Sequence, residues 1–256
     1  MAHDEDDNPT APADDAQPRQ DAPADTGLQT AQAEAYDASA GENASPLMHP
    51  RADEVFRGLW ASLFYSKRAT GRSVLICSAD RAEGASTVAA ALALAGSTPA
   101  GVARVALADF NLRRPALHKL LGLQPGPGLA EVATGQLPIE AVVQSVSPGL
   151  DLYAAGNVKH RALDVLRSGK LADLTTTLAG AYDNLLIDVA PVNHFPDAQV
   201  LAGIIKDVLL VSHSERTPRE AVAQAKKRIE AGGGRVIGLV LNLRTFPIPR
   251  FLYRRV

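Results

Sequence analysis

Short apolar runs alternate with longer amphipathic segments along most of the chain after residue 50. A short apolar run bounded by polar residues is typical of a strand buried on both faces, and helix-length segments between the runs favour parallel strands. The pattern predicts six strands, at residues 73–78, 102–108, 150–154, 184–189, 207–212 and 236–241. We therefore expect an α/β fold, a doubly wound and mainly parallel sheet with helices on both faces.

A helix is predicted before the first strand, over residues 53–66. Its large apolar residues recur at helical spacing and form one broad face: Val55, Phe56, Leu59, Trp60, Leu63 and Phe64. Such a face packs on the rest of the domain, so Trp60 is expected in the core. A second helix, rich in alanine, is predicted over residues 86–95.

The segment before residue 48 has a different composition. It is rich in Ala, Pro, Asp and Gln, and its 11 acidic residues stand against one basic residue, Arg19. Such a segment cannot bury enough apolar surface to offset its conformational entropy, so residues 1–47 are predicted to be a disordered acidic tail. Residues 48–256 are expected to form one domain with a formal charge of +8. The tail either keeps the protein soluble or folds back over an anion site.

Several features bear on the cellular setting. Acidic residues at positions 4–7 stand where a secretory signal would be basic, and no run approaches the roughly 20 apolar residues of a membrane span. The single cysteine, Cys77, lies in the first predicted strand and indicates no disulfide framework. The histidines lack the spacing of metal ligands. These features favour a cytoplasmic protein.

Residues 79–87, between the first predicted strand and the second predicted helix, read Ala-Asp-Arg-Ala-Glu-Gly-Ala-Ser-Thr. They resemble a phosphate-binding loop, in which backbone N–H groups wrap the phosphates, a lysine neutralises charge and a hydroxyl residue holds magnesium. Ala85 stands at the lysine position, and Ala79 replaces the first glycine. A glycine turn that serves packing alone would give a similar local pattern, so other motifs have to decide between the two interpretations.

Two aspartates, Asp109 and Asp188, end the second and fourth predicted strands. Ligands of parallel sheets bind at the carboxyl ends of the strands, and magnesium prefers oxygen ligands. A lone aspartate at such a place is usually a helix cap or a turn residue, but two beside a phosphate loop favour a magnesium site. The candidate ligands are Ser86, Asp109 and Asp188, and both aspartates are also the candidate catalytic residues.

Together these motifs resemble the cytoplasmic P-loop ATPase domain of bacterial tyrosine kinases and their relatives in capsule and exopolysaccharide assembly. That family is itself similar to chromosome-partitioning and septum-site ATPases. The resemblance runs from about residue 54 to 243. Its first motif matches residues 78–87, its third matches residues 188–191, and its second is matched by Asp109, Arg113, Arg114 and Pro115.

The resemblance implies a P-loop NTPase fold that binds ATP or ADP with magnesium, with Asn242 near the adenine. The nucleotide-binding residues that it implies are Ala82, Glu83, Gly84, Ala85, Ser86, Thr87, Arg113 and Asn242. It also implies a partner, the cytoplasmic segment of a membrane chain-length regulator of the polysaccharide co-polymerase type. That partner would place the protein at the inner face of the plasma membrane. Assembly into a homo-oligomer is also consistent with the resemblance.

The chain departs from the family pattern where the chemistry is concentrated. Ala85 lacks the lysine, and Asn111 replaces the second aspartate of the second motif. Loss of a cation beside bound phosphates costs on the order of several kcal/mol of transition-state stabilisation. We therefore expect a pseudokinase with weakened or lost nucleotide binding, in which Arg81 or Arg113 is a candidate for the missing charge. Trp60 also replaces the last arginine of a subunit-contact motif that Glu54 and Arg57 match.

Two other functions are consistent with the sequence. One is an active ATP-dependent protein-tyrosine autokinase or weak ATPase, with Tyr253 as the phosphate acceptor in place of the family's tyrosine cluster. The other is a positioning ATPase of the partitioning or septum-site type. Nucleic-acid binding is not expected, because the basic run at residues 226–228 lies in a helix pattern without interleaved aromatic residues.

Overall fold

The computed structural model describes residues 30–31, 50–65, 72–97, 103–157, 162, 165 and 168–243. Within these ranges the strands are β1 Thr30–Ala31, β2 Ser73–Ser78, β3 Val105–Phe110, β4 Val143–Ser147, β5 Leu150–Tyr153, β6 Asn184–Val189, β7 Asp207–His213 and β8 Arg235–Asn242. The helices are α1 Pro50–Phe64, α2 Ala85–Gly96, α3 Leu117–Leu120, α4 Leu129–Ala133, α5 Leu171–Ala181, α6 Asp197–Ile205 and α7 Arg219–Ala231, with a 3-10 turn at Ile139–Ala141.

The strands form one sheet in the order β1-β8-β7-β2-β6-β3-β5-β4. All neighbouring strands are parallel except β4, which runs antiparallel to β5 at the edge. The connection that leaves β2 runs towards β3, whereas the connection that leaves the neighbouring strand β6 runs the opposite way, towards β7, so the ends of β2 and β6 lie at the topological switch point. Ligands of open α/β sheets bind there. The predicted doubly wound, mainly parallel sheet is confirmed.

Both faces of the sheet are covered, and side chains alternate between two hydrophobic clusters along each strand. In β2, Leu75 and Cys77 join the cluster that α4, α5, α6 and α7 cover. Val74 and Ile76 join the opposite cluster, beneath α1, α2 and α3. Because both faces of β2 are buried, residues 74–77 are apolar without interruption, and Cys77 is fully buried as expected.

The ends of the chain lie largely outside the described residues. Of the predicted tail, residues 1–47, the structure describes only Thr30–Ala31, which pair in parallel with Leu239 and Val240 of β8. Tyr253 also falls outside the described ranges. Among the helices that are described, none is both long enough and apolar enough to cross a membrane.

Candidate functional site

The loop between β2 and α2 turns sharply because two of its residues have positive φ. Ala82 has φ 61°, and Gly84 has φ 82° and ψ 24° immediately before α2 begins. The first N–H groups of a helix have no acceptor inside it, so this end of α2 carries partial positive charge. Strand, loop and helix therefore have the order and the backbone polarity of a phosphate-binding loop.

Ala85, at the lysine position of such loops, is the first residue of α2. Its side chain is buried and packs in the cluster beneath α1 and α2. A methyl group contributes packing at this position but offers no charge to a phosphate. The loop thus keeps its backbone donors without the cation that usually accompanies them.

Asp109 and Asp188 lie directly opposite each other on the neighbouring strands β3 and β6. Both are fully buried. The Asp188 Oδ2 atom accepts a 2.6 Å hydrogen bond from the Ser86 hydroxyl, whereas Asp188 Oδ1 has no hydrogen-bond partner. The structure therefore brings together the three residues that the sequence indicated as magnesium ligands.

The environment of the two aspartates disfavours their charged forms. Burial raises the pKa of Asp109 to about 6, although its carboxylate accepts N–H bonds from Asn111, Ala116 and Leu117. Burial, and then the charge of Asp109, raise the pKa of Asp188 well above its usual range. A divalent cation would offset this repulsion, and the unpaired Asp188 Oδ1 is a suitable ligand atom, so these residues fit magnesium.

Arg113 is engaged elsewhere. Its Nε and Nη2 atoms donate to the two carboxylate oxygens of Asp197, each at 3.2 Å. Asp197 is fully buried, and the Arg113 guanidinium also lies 4.9 Å from the centre of the Phe195 ring. Asn111, at the second acidic position of its motif, accepts a 3.3 Å hydrogen bond from the N–H of Arg114 and so shapes the turn after β3.

Glu83 and Asn242, two of the expected nucleotide-binding residues, stabilise the loop through hydrogen bonds. The Asn242 amide donates a 2.9 Å hydrogen bond to the carbonyl oxygen of Glu83. The buried Glu83 carboxylate accepts bonds from the Thr217 hydroxyl and, at 2.8 Å, from the N–H of Asp80. Sequence reasoning did not find Thr217, because no local pattern connects residues that lie 134 positions apart.

Trp60 is buried, as expected for a tryptophan amid helical apolar spacing. It packs against Phe64, with 4.3 Å between ring centres, and closely over Gly96 of α2. Arg57, on the same helix, pairs with Asp53 at 2.8 Å. The last position of the subunit-contact motif therefore faces the core of this chain.

No family model matches the chain. Tyrosine-protein kinase YwqD of Bacillus subtilis is 31% identical over 172 residues, which make up 67% of this chain and 72% of YwqD. The chain belongs to the bacterial tyrosine-kinase family. CapB of Staphylococcus aureus, assigned to the same kinases, is 29% identical over 74% of this chain and 83% of its own length. EpsB of Ralstonia nicotianae is 31% identical over 191 residues, but the chain spans only 25% of its length.

Solved structures of the same family share the architecture. The chimerical protein CapA2B2 superposes with a TM-score of 0.75 at 27% identity, covering 86% of this chain and 96% of the chimera. The VpsO kinase domain gives a TM-score of 0.68 at 26% identity, over 75% of this chain and 95% of that domain. The septum-site protein MinD of Pyrococcus horikoshii, solved with Mg-ADP, superposes with a TM-score of 0.57 at 22% identity, covering 68% of this chain and 70% of MinD. This likeness shows a common fold.

Proposed function

We propose that this chain is a degenerate tyrosine-kinase-like P-loop domain that regulates capsule or exopolysaccharide assembly and has lost efficient phosphoryl transfer. The observation that carries the proposal is the buried methyl group of Ala85 at the position where the phosphate loop needs a cation. Phosphoryl transfer depends almost entirely on positioning and electrostatic stabilisation. Loss of that charge therefore lowers the rate of phosphoryl transfer while the fold is kept.

Arg113 is a poor substitute for the missing lysine. To reach a phosphate at the loop it would have to leave Asp197, whose carboxylate is fully buried. Separation of such a pair costs about 3–5 kcal/mol, because a buried charge loses its partner. Arg81 is the better candidate, since it is exposed on the loop and has no carboxylate partner among the described residues.

Other parts of a nucleotide site are retained. The N–H groups at the start of α2 would contact phosphate oxygens, and Ser86, Asp109 and Asp188 would hold magnesium. The metal would neutralise part of the phosphate charge. Asn242 keeps its proposed place near the adenine. We therefore expect weak binding of ATP or ADP without efficient turnover.

Calorimetric titration with Mg-ATP and Mg-ADP tests this proposal. The native protein should bind weakly or without detectable heat, and Ala85→Lys should bind at least about tenfold more tightly, since charge-assisted hydrogen bonds contribute about 1.5–3 kcal/mol. Ala223→Lys adds the same charge at an exposed position of α7 and should leave affinity unchanged. Micromolar binding by the native protein together with ATP turnover would overturn the proposal.

The proposed partner is the cytoplasmic segment of a membrane chain-length regulator of the polysaccharide co-polymerase type. Association with it would place this chain at the inner face of the plasma membrane and would let a catalytically weak domain modulate polymer assembly. Support comes from the capsule and exopolysaccharide kinases to which the chain is related. The test is co-purification with the co-polymerase of the same organism in mild detergent; its absence from the complex counts against the proposal.

An active autokinase is the second candidate, because the guanidinium of Arg81 lacks a carboxylate partner among the described residues and could supply charge. In that case ATP should transfer radiolabelled phosphate to Tyr253, and Tyr253→Phe should abolish the transfer. A positioning ATPase is the third candidate, supported by the common fold with MinD. It would form a dimer only with bound nucleotide, which light scattering with and without Mg-ATP would detect.

A further inference from the structure

A cleft of about 350 Å³ opens beside the outer side of the phosphate loop. Its walls come from three separate segments: the loop after β2, the segment after β6 and the turn after β7. The residues on which its chemistry depends are Asp80, Arg81, Glu83, His194, Arg216 and Thr217. None of these side chains belongs to the start of α2, where a phosphate loop holds its ligand.

The acidic groups of the cleft are already engaged. The carboxylate of Glu83 is buried and accepts hydrogen bonds from the Thr217 hydroxyl and the N–H of Asp80. The carboxylate of Asp80 lies 3.0 Å from the Nε2 atom of His194. These contacts connect the three segments, and neither carboxylate lies within ion-pair distance of Arg81 or Arg216.

The two arginines of the cleft, Arg81 and Arg216, have no carboxylate within ion-pair distance in the part of the chain that the structure describes. Arg81 lies 5.4 Å from the centre of the Phe195 ring, a contact that positions its guanidinium group without using its N–H donors in an ion pair. Two guanidinium groups from separate segments that line one cleft without an ion pair are available to donate to the same anion.

We propose that this cleft binds a phosphate monoester, with Arg81 and Arg216 donating to the phosphoryl oxygens. Guanidinium groups match phosphate geometry and form bidentate, charge-assisted hydrogen bonds with it. The cleft volume is near the lower limit of small-molecule pockets, so it suits a phosphate that carries one ring. Either a phosphorylated tyrosine side chain or a sugar phosphate has this chemistry.

The proposed site uses side chains of the cleft walls and not the N–H groups at the start of α2. It rests on the proposed function, because a loop that bound nucleotide tightly through Arg81 would not leave that guanidinium group for a second phosphate. In this arrangement the domain recognises a phosphorylated group that another enzyme has produced. That role needs no phosphoryl transfer by this chain.

Calorimetry of the full chain with O-phospho-L-tyrosine and with glucose 1-phosphate tests the proposal, with L-tyrosine as the ligand that lacks phosphate. We expect saturable binding of at least one phosphate ester and none of L-tyrosine. Arg81→Gln and Arg216→Gln should each weaken binding at least about tenfold. Arg219→Gln removes the same charge from an exposed arginine outside the cleft and should have little effect.

The two esters separate the possible sources of the phosphate. Tighter binding of phosphotyrosine would support recognition of a phosphorylated protein segment, and tighter binding of glucose 1-phosphate would support recognition of a sugar phosphate. Absence of binding by both esters at millimolar concentration would overturn the proposal. The proposal would also be overturned if the phosphate ester bound equally well to both cleft variants, or if ADP displaced it competitively. In either case the phosphate would occupy another site. Circular dichroism of each variant checks that it is folded.

Discussion

Gly84 occupies a backbone position that residues with a side chain adopt only under strain. Its φ is 82°, and a Cβ atom added there would lie 2.3 Å from the Nδ2 atom of Asn242. Gly84→Ala would therefore combine left-handed backbone strain of about 1–2 kcal/mol with loss of the bond from Asn242 to Glu83, worth about 0.5–1.5 kcal/mol. We expect the free energy of unfolding in urea to fall by about 2–3 kcal/mol.

Gly180 provides the matched control for this substitution. It lies on an exposed turn of α5, its φ is not positive, and an added Cβ atom would meet nothing within 4 Å. Gly180→Ala should leave stability unchanged or raise it by up to about 1 kcal/mol, because alanine favours the helix. Equal losses for both substitutions would show that neither the backbone angle of Gly84 nor its contact with Asn242 matters.

Part of the candidate site could be predicted from the sequence, because the carboxyl ends of parallel strands lie at the same edge of a sheet. Ser86, Asp109 and Asp188 follow or end strands of a parallel sheet, so their proximity follows from the strand pattern. The strand pattern does not predict the pairing of Arg113 with Asp197, nor the contacts of two arginines with the Phe195 ring. These contacts join different loops, and the intervening strands are what set their distances.

At the scale of elements, α1 is attached to the domain chiefly through its contact with α2. Trp60 is the central contact: it is buried, and the Cβ position of Gly96 would lie 2.3 Å from its ring. Trp60→Ala should lower the free energy of unfolding by about 3–5 kcal/mol, because it removes a large buried ring and leaves a cavity. Far-UV circular dichroism in urea measures this, since the substitution removes the single tryptophan.

Tyr65, just after the same helix, is the control for the loss of an aromatic ring. Its side chain is 72% exposed, so Tyr65→Ala should change stability by no more than about 0.5 kcal/mol. If Trp60 instead mediated contact between subunits, Trp60→Ala would change the oligomeric state at little cost to the folded monomer. Analytical ultracentrifugation of both variants separates these outcomes.

The elements themselves differ in how well their sequences predicted them. β2 and β6 have the predicted bounds, because each contains a run of apolar residues that is buried on both faces of the sheet. β3 begins later than expected and includes Asp109, a charge that ends an apolar pattern without ending the strand. β4 was not predicted, since it is a partly exposed antiparallel edge strand whose five residues include three polar ones.

At the scale of the whole molecule, the two buried carboxylates lie near the middle of the sheet, and their protonation is coupled to global stability. Burial raises the pKa values of both Asp109 and Asp188 in the folded state. The folded protein therefore binds protons that the unfolded chain releases, and stability falls as pH rises through that interval. For Asp109 the interval extends from its unfolded value of 3.8 to about 6.

Asp188→Asn tests this coupling. The neutral amide removes the repulsion with Asp109, so in the presence of a chelator the variant should exceed the native protein in stability at pH 8. We expect a gain on the order of 1 kcal/mol or more, since one pKa unit corresponds to about 1.4 kcal/mol. Near pH 4.5, where the native carboxyl is protonated, the gain should vanish. Urea titrations at both pH values measure the difference.

Asp173→Asn is the control, because this aspartate is exposed in the first turn of α5 and lies far from the pair in sequence. Its substitution should leave the difference between the two pH values nearly unchanged. A loss of stability in Asp188→Asn that is equal at both pH values would mean that the bond from Ser86 outweighs the charge repulsion. A gain at pH 8 alone would mean that the sheet tolerates this pair of charges at a cost in stability, as expected of a site that a divalent cation stabilises.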